Sequence, residues 1–243
     1  MGDTQRDRAK NSQQLPFKSR RDAIPPSVGY TPPRMIIESF PVGPLQCNCV
    51  VLGDPASRQG VVIDPGDEAS RIDEVLEHHR LDLKYVVHTH AHIDHILAAN
   101  HLRNERGAVV CLHEADAFLW NGVQTQASFL GMRVEAAGPV DRFLKEGDVI
   151  PFGSFALKVI ETPGHTPGSL CFLLEHAPML FSGDTLFLHG IGRTDLWGGS
   201  HPGILKSITE RILTLDDETV VHPGHGPDTT VREERKHNPF LRR

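Results

Sequence analysis

Cysteine is scarce, with 4 in 243 residues: Cys47, Cys49, Cys111 and Cys171. None forms a C-x-x-C pair, which removes redox-motif and cysteine–zinc readings. Cys47-Asn48-Cys49 reads as two small strand residues rather than a bridge or a metal site. A reducing, cytoplasmic setting is the matching expectation. Long hydrophobic runs are missing too. None approaches the ~20 apolar residues of a membrane helix, and the first thirty residues lack the apolar core of a secretory signal. Excess positive charge is also absent, since the formal net charge is -6. Residues 1–34 carry seven Lys/Arg against three Asp, and the rest carries eighteen against twenty-eight Asp/Glu. An acidic body argues against nucleic-acid partners. What remains is 39% hydrophobic and 23% charged, the balance of a globular domain. The length fits one domain plus a tail, with enough core to need no staples.

The tail is residues 1–34. It is polar and holds five prolines, so it is expected to be a disordered leader, with the domain spanning 35–243. Strands are expected at Met35–Phe40, Cys49–Leu52, Gly60–Ile63, Tyr85–Val87, Ala108–Leu112, Phe155–Ile160, Leu170–Leu174, Met179–Ser182 and Thr219–Val221. A turn at 176–178 separates two of them. Helices are expected at Ser70–His79, Ile96–Asn104, Glu114–Trp120 and Pro202–Leu213. Ser70 with Asp73, and Thr230 with Glu233, resemble capping boxes. Residues 121–147 read as irregular chain covering a cleft. The result is an alternating α/β chain. Its strand-like runs repeatedly end in a loop bearing a metal-ligand type: Val87 before a histidine cluster, Ile160 before His165, Ser182 before Asp184, Val221 before His225. Rigid strands aiming mobile loops are where sites collect.

The cluster is His88-Thr89-His90-Ala91-His92-Ile93-Asp94-His95, four imidazoles and a carboxylate in eight residues. Neutral imidazole and carboxylate are ligands for zinc and similar divalent ions. In extended chain, residues two apart share a side, so His90, His92 and Asp94 can converge. His95 breaks that spacing and needs a bend, so the pattern suggests more than one metal position.

These motifs resemble the metallo-β-lactamase superfamily. They are His90-x-His92-x-Asp94-His95, His165 in Pro-Gly-His, Asp184 in Ser-Gly-Asp-Thr, His225 in Pro-Gly-His-Gly, and Asp64 in Asp-Pro-Gly. Gly183-Asp184-Thr185-Leu186-Phe187, Gly192-Arg193-Thr194-Asp195 and the closing stretch from Glu233 to Leu241 are similar to glyoxalase II. The chain stops about eighteen residues past His225, so the likeness is to the short form without a C-terminal helical domain.

The resemblance implies a four-layer αβ/βα sandwich with two divalent metal ions at one edge. His90, His92 and His165 would hold the first ion. Asp94, His95 and His225 would hold the second, with Asp184 bridging. Zinc is the first expectation; iron and manganese suit the same donors. The implied activity is thioester hydrolysis of the hydroxyacylglutathione type, by a metal-bound hydroxide. A glutathione conjugate is then one form of the small-molecule substrate. Asp64 is expected to orient a ligating histidine, or else to be a plain turn residue. Arg193 is expected to pin an anionic substrate group, or else to pair with Asp195. The alternative activity is a mononuclear iron persulfide dioxygenase using His90, His165 and Asp184. A β-lactamase usually lacks a carboxylate at the Asp184 position. A superfamily nuclease would carry an added insert and a basic surface. A silent metal-binding scaffold would have lost ligands, and none is lost.

Overall fold

Short β-branched runs with apolar residues at successive positions are built to be buried on both faces. The computed structural model describes residues 35–175 and 177–242. The expected leader, 1–34, and His176 of the expected turn lie outside the described residues. In chain order the first sheet comprises β1 (Ile36–Val42), β2 (Cys47–Gly53), β3 (Gln59–Ile63), β4 (Asp82–Val87), β5 (Val109–His113) and β6 (Arg142–Leu144). Strands β1 to β3 pair antiparallel and β3 to β6 pair parallel. Parallel neighbours need crossovers. Helices supply them: α1 (Ala69–His78), α2 (Ala99–Arg106), α3 (Ala117–Asn121) and α4 (Val123–Phe129).

The second sheet is built from β7 (Val149–Phe152), β8 (Phe155–Glu161), β9 (Leu170–Leu174) and β10 (Met179–Gly183). A small hairpin, β11 (Leu186–Phe187) with β12 (Gly190–Ile191), interrupts it, and α5 (His201–Ser207) follows. Strands β13 (Val220–Pro223) and β14 (Thr229–Thr230) complete the sheet before α6 (Val231–His237). Its spatial order is β14-β13-β10-β9-β8-β7. Because β7 to β10 alternate in direction and β13 lies parallel to β10, strands β8, β10 and β13 all point the same way.

Period-two alternation builds four layers. On β2, Cys47, Cys49 and Val51 face α1 and its neighbours, while Val50 and Leu52 face the other sheet. On β9 and β10, Leu170, Phe172, Leu174, Met179 and Phe181 fill the space between the sheets. Cys171 and Leu180 face the other way, onto Ile204, Ile208 and Ile212. The order is therefore helices, sheet, sheet, helices: the αβ/βα sandwich. All four cysteines are buried and free, so Cys47 and Cys49 are the small strand residues expected.

Three local expectations fail. Helix α1 starts after Glu68, a left-handed residue at φ 52°, with no side-chain cap. Asp73 bonds away from its own helix, accepting from His101 Nε2 at 2.6 Å and Arg106 Nε at 2.6 Å on α2. Residues 121–147 are not simply irregular, since they hold α4 and β6. The expected helix at 202–213 is α-helical only to Ser207, and Ile208–Ile212 form a π-turn. The box at Thr230 is half right. Its hydroxyl accepts from Glu233 N at 3.1 Å, but the Glu233 carboxylate bonds elsewhere.

Candidate metal centre

All four ligand-type loops leave strand ends at one edge of the sandwich. His90 and His92 follow β4 in extended chain. Asp94 and His95 sit in a 3-10 turn, Ile93–His95, which is the bend His95 requires. His165 lies between β8 and β9, Asp184 directly after β10, and His225 after β13. Two backbone bonds tie these loops across the sheets: Leu170 N donates to Thr89 O at 2.7 Å, and Asn48 N to Gly224 O at 2.7 Å.

The seven donors converge. His165 Nε2 lies 3.2 Å from His90 Nε2 and 2.8 Å from His92 Nδ1. His225 Nε2 lies 3.1 Å from Asp94 Oδ2, and His95 Nε2 lies 3.7 Å from the same oxygen. Asp184 stands between the two sets. Its Oδ2 is 3.6 Å from His165 Nε2, while its Oδ1 is 3.6 Å from His95 Nε2 and 3.8 Å from His225 Nε2. Donor atoms of His90, His92 and His165 all lie within 4.8 Å of one another, as do those of Asp94, His95 and His225, and of His90, His95 and Asp184.

Neighbours fix which nitrogen faces in. His90 Nδ1 donates to Thr89 Oγ1 at 3.1 Å, His95 Nδ1 to Asp64 Oδ2 at 3.0 Å, and His165 Nδ1 to the Arg193 carbonyl at 2.8 Å. With Nδ1 so engaged, Nε2 is the nitrogen each of the three turns toward the other donors. Burial, reinforced by the surrounding imidazoles, holds His90 well below the usual histidine range and pushes His92 down to about 3. Both are neutral and free to ligate. Burial opposes charge on Asp94, but His95 and then His225 outweigh it, so Asp94 is ionised. His95 Nε2 and Asp184 Oδ1 are buried with no hydrogen-bond partner. Lone pairs facing lone pairs and orphaned buried acceptors are costly unless a cation sits among them. The donor set therefore fits divalent metal ions.

Asp64 is more than a turn residue. Its carboxylate accepts from Thr89 N at 2.7 Å, Thr89 Oγ1 at 2.6 Å and His95 Nδ1 at 3.0 Å. The Arg193 guanidinium is forked onto Asp195, at 2.7 and 2.9 Å, and this is the alternative weighed for it. His88 stays outside the donor groups. It bonds the His95 carbonyl at 3.1 Å, and burial lowers it to about 4. His222 pairs with Asp228 at 3.0 Å.

Three residues escaped the motif reading. Buried Asp116 accepts from Ala91 N, Thr166 Oγ1 and Gly168 N, joining the cluster loop to the His165 loop. Gln126 on α4 accepts from Ile93 N and donates to Ala91 O. Asn48 donates its amide to Pro223 O and Gly226 O, around the His225 loop. Glycine permits the closest approach. A Cβ on Gly224 would stand 2.3 Å from Asp184 Oδ1 and 2.8 Å from His95 Cε1.

A cavity of about 300 Å3 opens onto the donors, walled by Leu45, Phe129, Leu130, Leu196 and Trp197, with Arg193 at its side. A larger hollow of about 430 Å3 over α2 reaches none of the donors, so chemistry rather than size locates the site. Among the described residues no helix is long and apolar enough to cross a membrane.

An αβ/βα sandwich with a buried imidazole–carboxylate centre at its edge defines a metal-dependent hydrolase class. The chain belongs to the metallo-beta-lactamase superfamily, whose family model matches residues 42–225. It is 36% identical over 209 residues to hydroxyacylglutathione hydrolase GloC of Haemophilus influenzae, covering 85% of this chain and 98% of that protein. It is 36% identical over 204 residues to human mitochondrial persulfide dioxygenase ETHE1, covering 82% and 73%. The fold superimposes on BLEG-1 B3 metallo-beta-lactamase with a TM-score of 0.79 at 37% identity, covering 85% and 99%. It also superimposes on TTHA1623 in a di-iron-bound form, with a TM-score of 0.77 at 36% identity, covering 84% and 100%.

Proposed function

We propose that the chain is a thioesterase of the hydroxyacylglutathione hydrolase type, working with two divalent ions. Zinc is the first choice, with iron or manganese suited to the same donors. One observation carries the two-ion reading: the two oxygens of Asp184 face different histidine sets, Oδ2 toward His165 and Oδ1 toward His95 and His225. His90, His92 and His165 would hold one ion, Asp94, His95 and His225 the other, and Asp184 both. When bound, such a pair supplies an activated water and polarises the substrate carbonyl.

The chain's own residues do the rest. Asp64 and Thr89 hold His95 and His90 in the tautomer that presents Nε2. The Arg193 carbonyl does the same for His165. The apolar wall from Leu45 to Trp197 excludes bulk water and packs the acyl or thiol portion. Thiolate is a good leaving group, so no separate nucleophilic triad is required. The name of the GloC relative supports glutathione as the thiol.

A specific observation favours a second reading. His90 and His165 converge with Asp184 beside them, a two-histidine, one-carboxylate set suited to a single iron, and one relative is named a persulfide dioxygenase. One experiment separates the two. Bound metal is measured in wild type and Asp184→Ala, with thioester hydrolysis and oxygen uptake on glutathione persulfide assayed in parallel. Two ions in the wild type, both weakened in Asp184→Ala, with thioester turnover, is the expected result. One iron with rapid oxygen consumption overturns the hydrolase reading.

A further inference from the structure

Histidine and carboxylate meet a second time, on elements that carry none of the seven donors described above. His189 sits at the tip of the β11–β12 hairpin, and Glu233 and His237 lie four residues apart on α6. Spacing of four puts two side chains on one helix face. Glu233 Oε1 is 2.7 Å from His189 Nε2 and 3.0 Å from His237 Nδ1. The three donor atoms lie within 4.8 Å of one another, the only such group among the described residues outside the main centre.

The scaffold beneath is rigid. His189 takes a left-handed conformation, φ 55°, which histidine adopts more readily than most side chains. Fully buried Glu234, next to Glu233 on the helix, accepts from His189 N at 3.0 Å and from Asn238 Nδ2 at 2.7 Å. Asn238 Nδ2 in turn donates to Gly190 O at 3.0 Å. The hairpin tip and the helix end are thus fixed from below, while all three donors remain half exposed above. His189 and then His237 hold the Glu233 carboxyl below its usual range, so it is anionic at neutral pH. Elsewhere among the described residues, His79 meets Glu38 and His113 meets Glu161 without a third donor assembling.

We propose that His189, Glu233 and His237 form a peripheral site for a divalent ion of the zinc class, with water completing the coordination. Two imidazoles and one carboxylate with solvent-facing open positions is a set zinc accepts. The ion would clamp α6 to the β11–β12 hairpin. That hairpin occupies the chain between Asp184 and Arg193, so the clamp braces the segment leading away from the proposed bridging carboxylate.

The test uses the full chain with its main centre filled and free metal dialysed away. Zinc chloride is then titrated, reading bound metal per chain by elemental analysis and Tm by calorimetry. Wild type is expected to take up one further zinc ion per chain and to gain Tm. His189→Gln and Glu233→Gln should start from an unchanged Tm, take up no further ion and gain nothing. Two results overturn the proposal. One is a wild type that binds no more zinc than the variants. The other is a further ion that persists in both variants, which would place it among the chain's other histidines. Residues 1–34 contain neither His nor Cys and cannot supply such a site.

Discussion

At the residue scale, Asp64 shows how much of a metal centre lies beside the ligands. It touches no other donor directly except His95, yet it also fixes Thr89, which fixes His90. One carboxylate therefore sets the tautomers of two histidines, one from each set. Removing such a partner typically costs ~10–100-fold in metal affinity or activity. Asp64→Ala is expected to fold and to lose metal on dialysis within that range. Full metal content with unchanged turnover would reduce Asp64 to a turn residue. The donors of the 90–95 cluster stood out in sequence because imidazole at that density has no structural use, while His165, Asp184 and His225 were legible only through their strand-end motifs and the family resemblance. Asp116 and Gln126 were not. Asp116 is one polar residue in a run expected to be helical, Gln126 one in a stretch expected to be irregular, and their partners on the cluster loop lie 25 or more residues away. Only the folded chain shows that both grip the cluster loop. Arg193 teaches the reverse: a side chain suited to substrate is taken up by Asp195, and what reaches the centre is its backbone carbonyl.

At the scale of elements, strands read well and helix ends read poorly. Strand runs such as Val61-Val62-Ile63 are apolar on both faces and bounded by turns, so tertiary packing and local pattern agree. Helix α1 had a plausible box at Ser70 and Asp73, but α2 offered Asp73 two stronger donors, and the box lost. A paired measurement checks this. Thr230→Ala should destabilise by about 1 kcal/mol, the usual worth of a helix cap, whereas exposed Ser70→Ala should lie within ~0.5 kcal/mol of wild type. Equal losses in urea unfolding would restore the Ser70 cap. The α1–α2 link also carries a pH signature. Burial opposes charge on Asp73, but hydrogen bonds from His101 and then Arg106 outweigh it and lower its pKa. A lowered folded value gives stability that is complete above the ordinary carboxylate pKa of ~3.9 and lost as pH falls through the folded value. The stability gap between wild type and Asp73→Asn should thus be widest near neutrality and narrow below pH ~4. A gap that widens on acidification would mean that Asp73 does not stabilise as an anion.

For the whole molecule, the candidate centre sits where both sheets end, and its proposed ligands come from both halves of the chain. His90, His92, Asp94 and His95 follow the first sheet, while His165, Asp184 and His225 follow the second. A cation held by both sets is a cross-link between the two sheets, absent from the unfolded chain. An ion at 100 times its Kd adds about 2.7 kcal/mol, so two add roughly 5 kcal/mol. In a domain of this size each kcal/mol moves Tm by ~2–4 °C. Chelation should therefore lower Tm by roughly 10–20 °C, and the loss should be reversed by adding back the ion. Without it, His95 Nε2 and Asp184 Oδ1 are left buried and unpartnered. The measurement belongs in the His189→Gln background, so that any ion on α6 cannot contribute. A Tm in that variant unmoved by chelation, with metal shown to have left, would mean that the seven donors are held by packing alone and that the ions add chemistry but no stability.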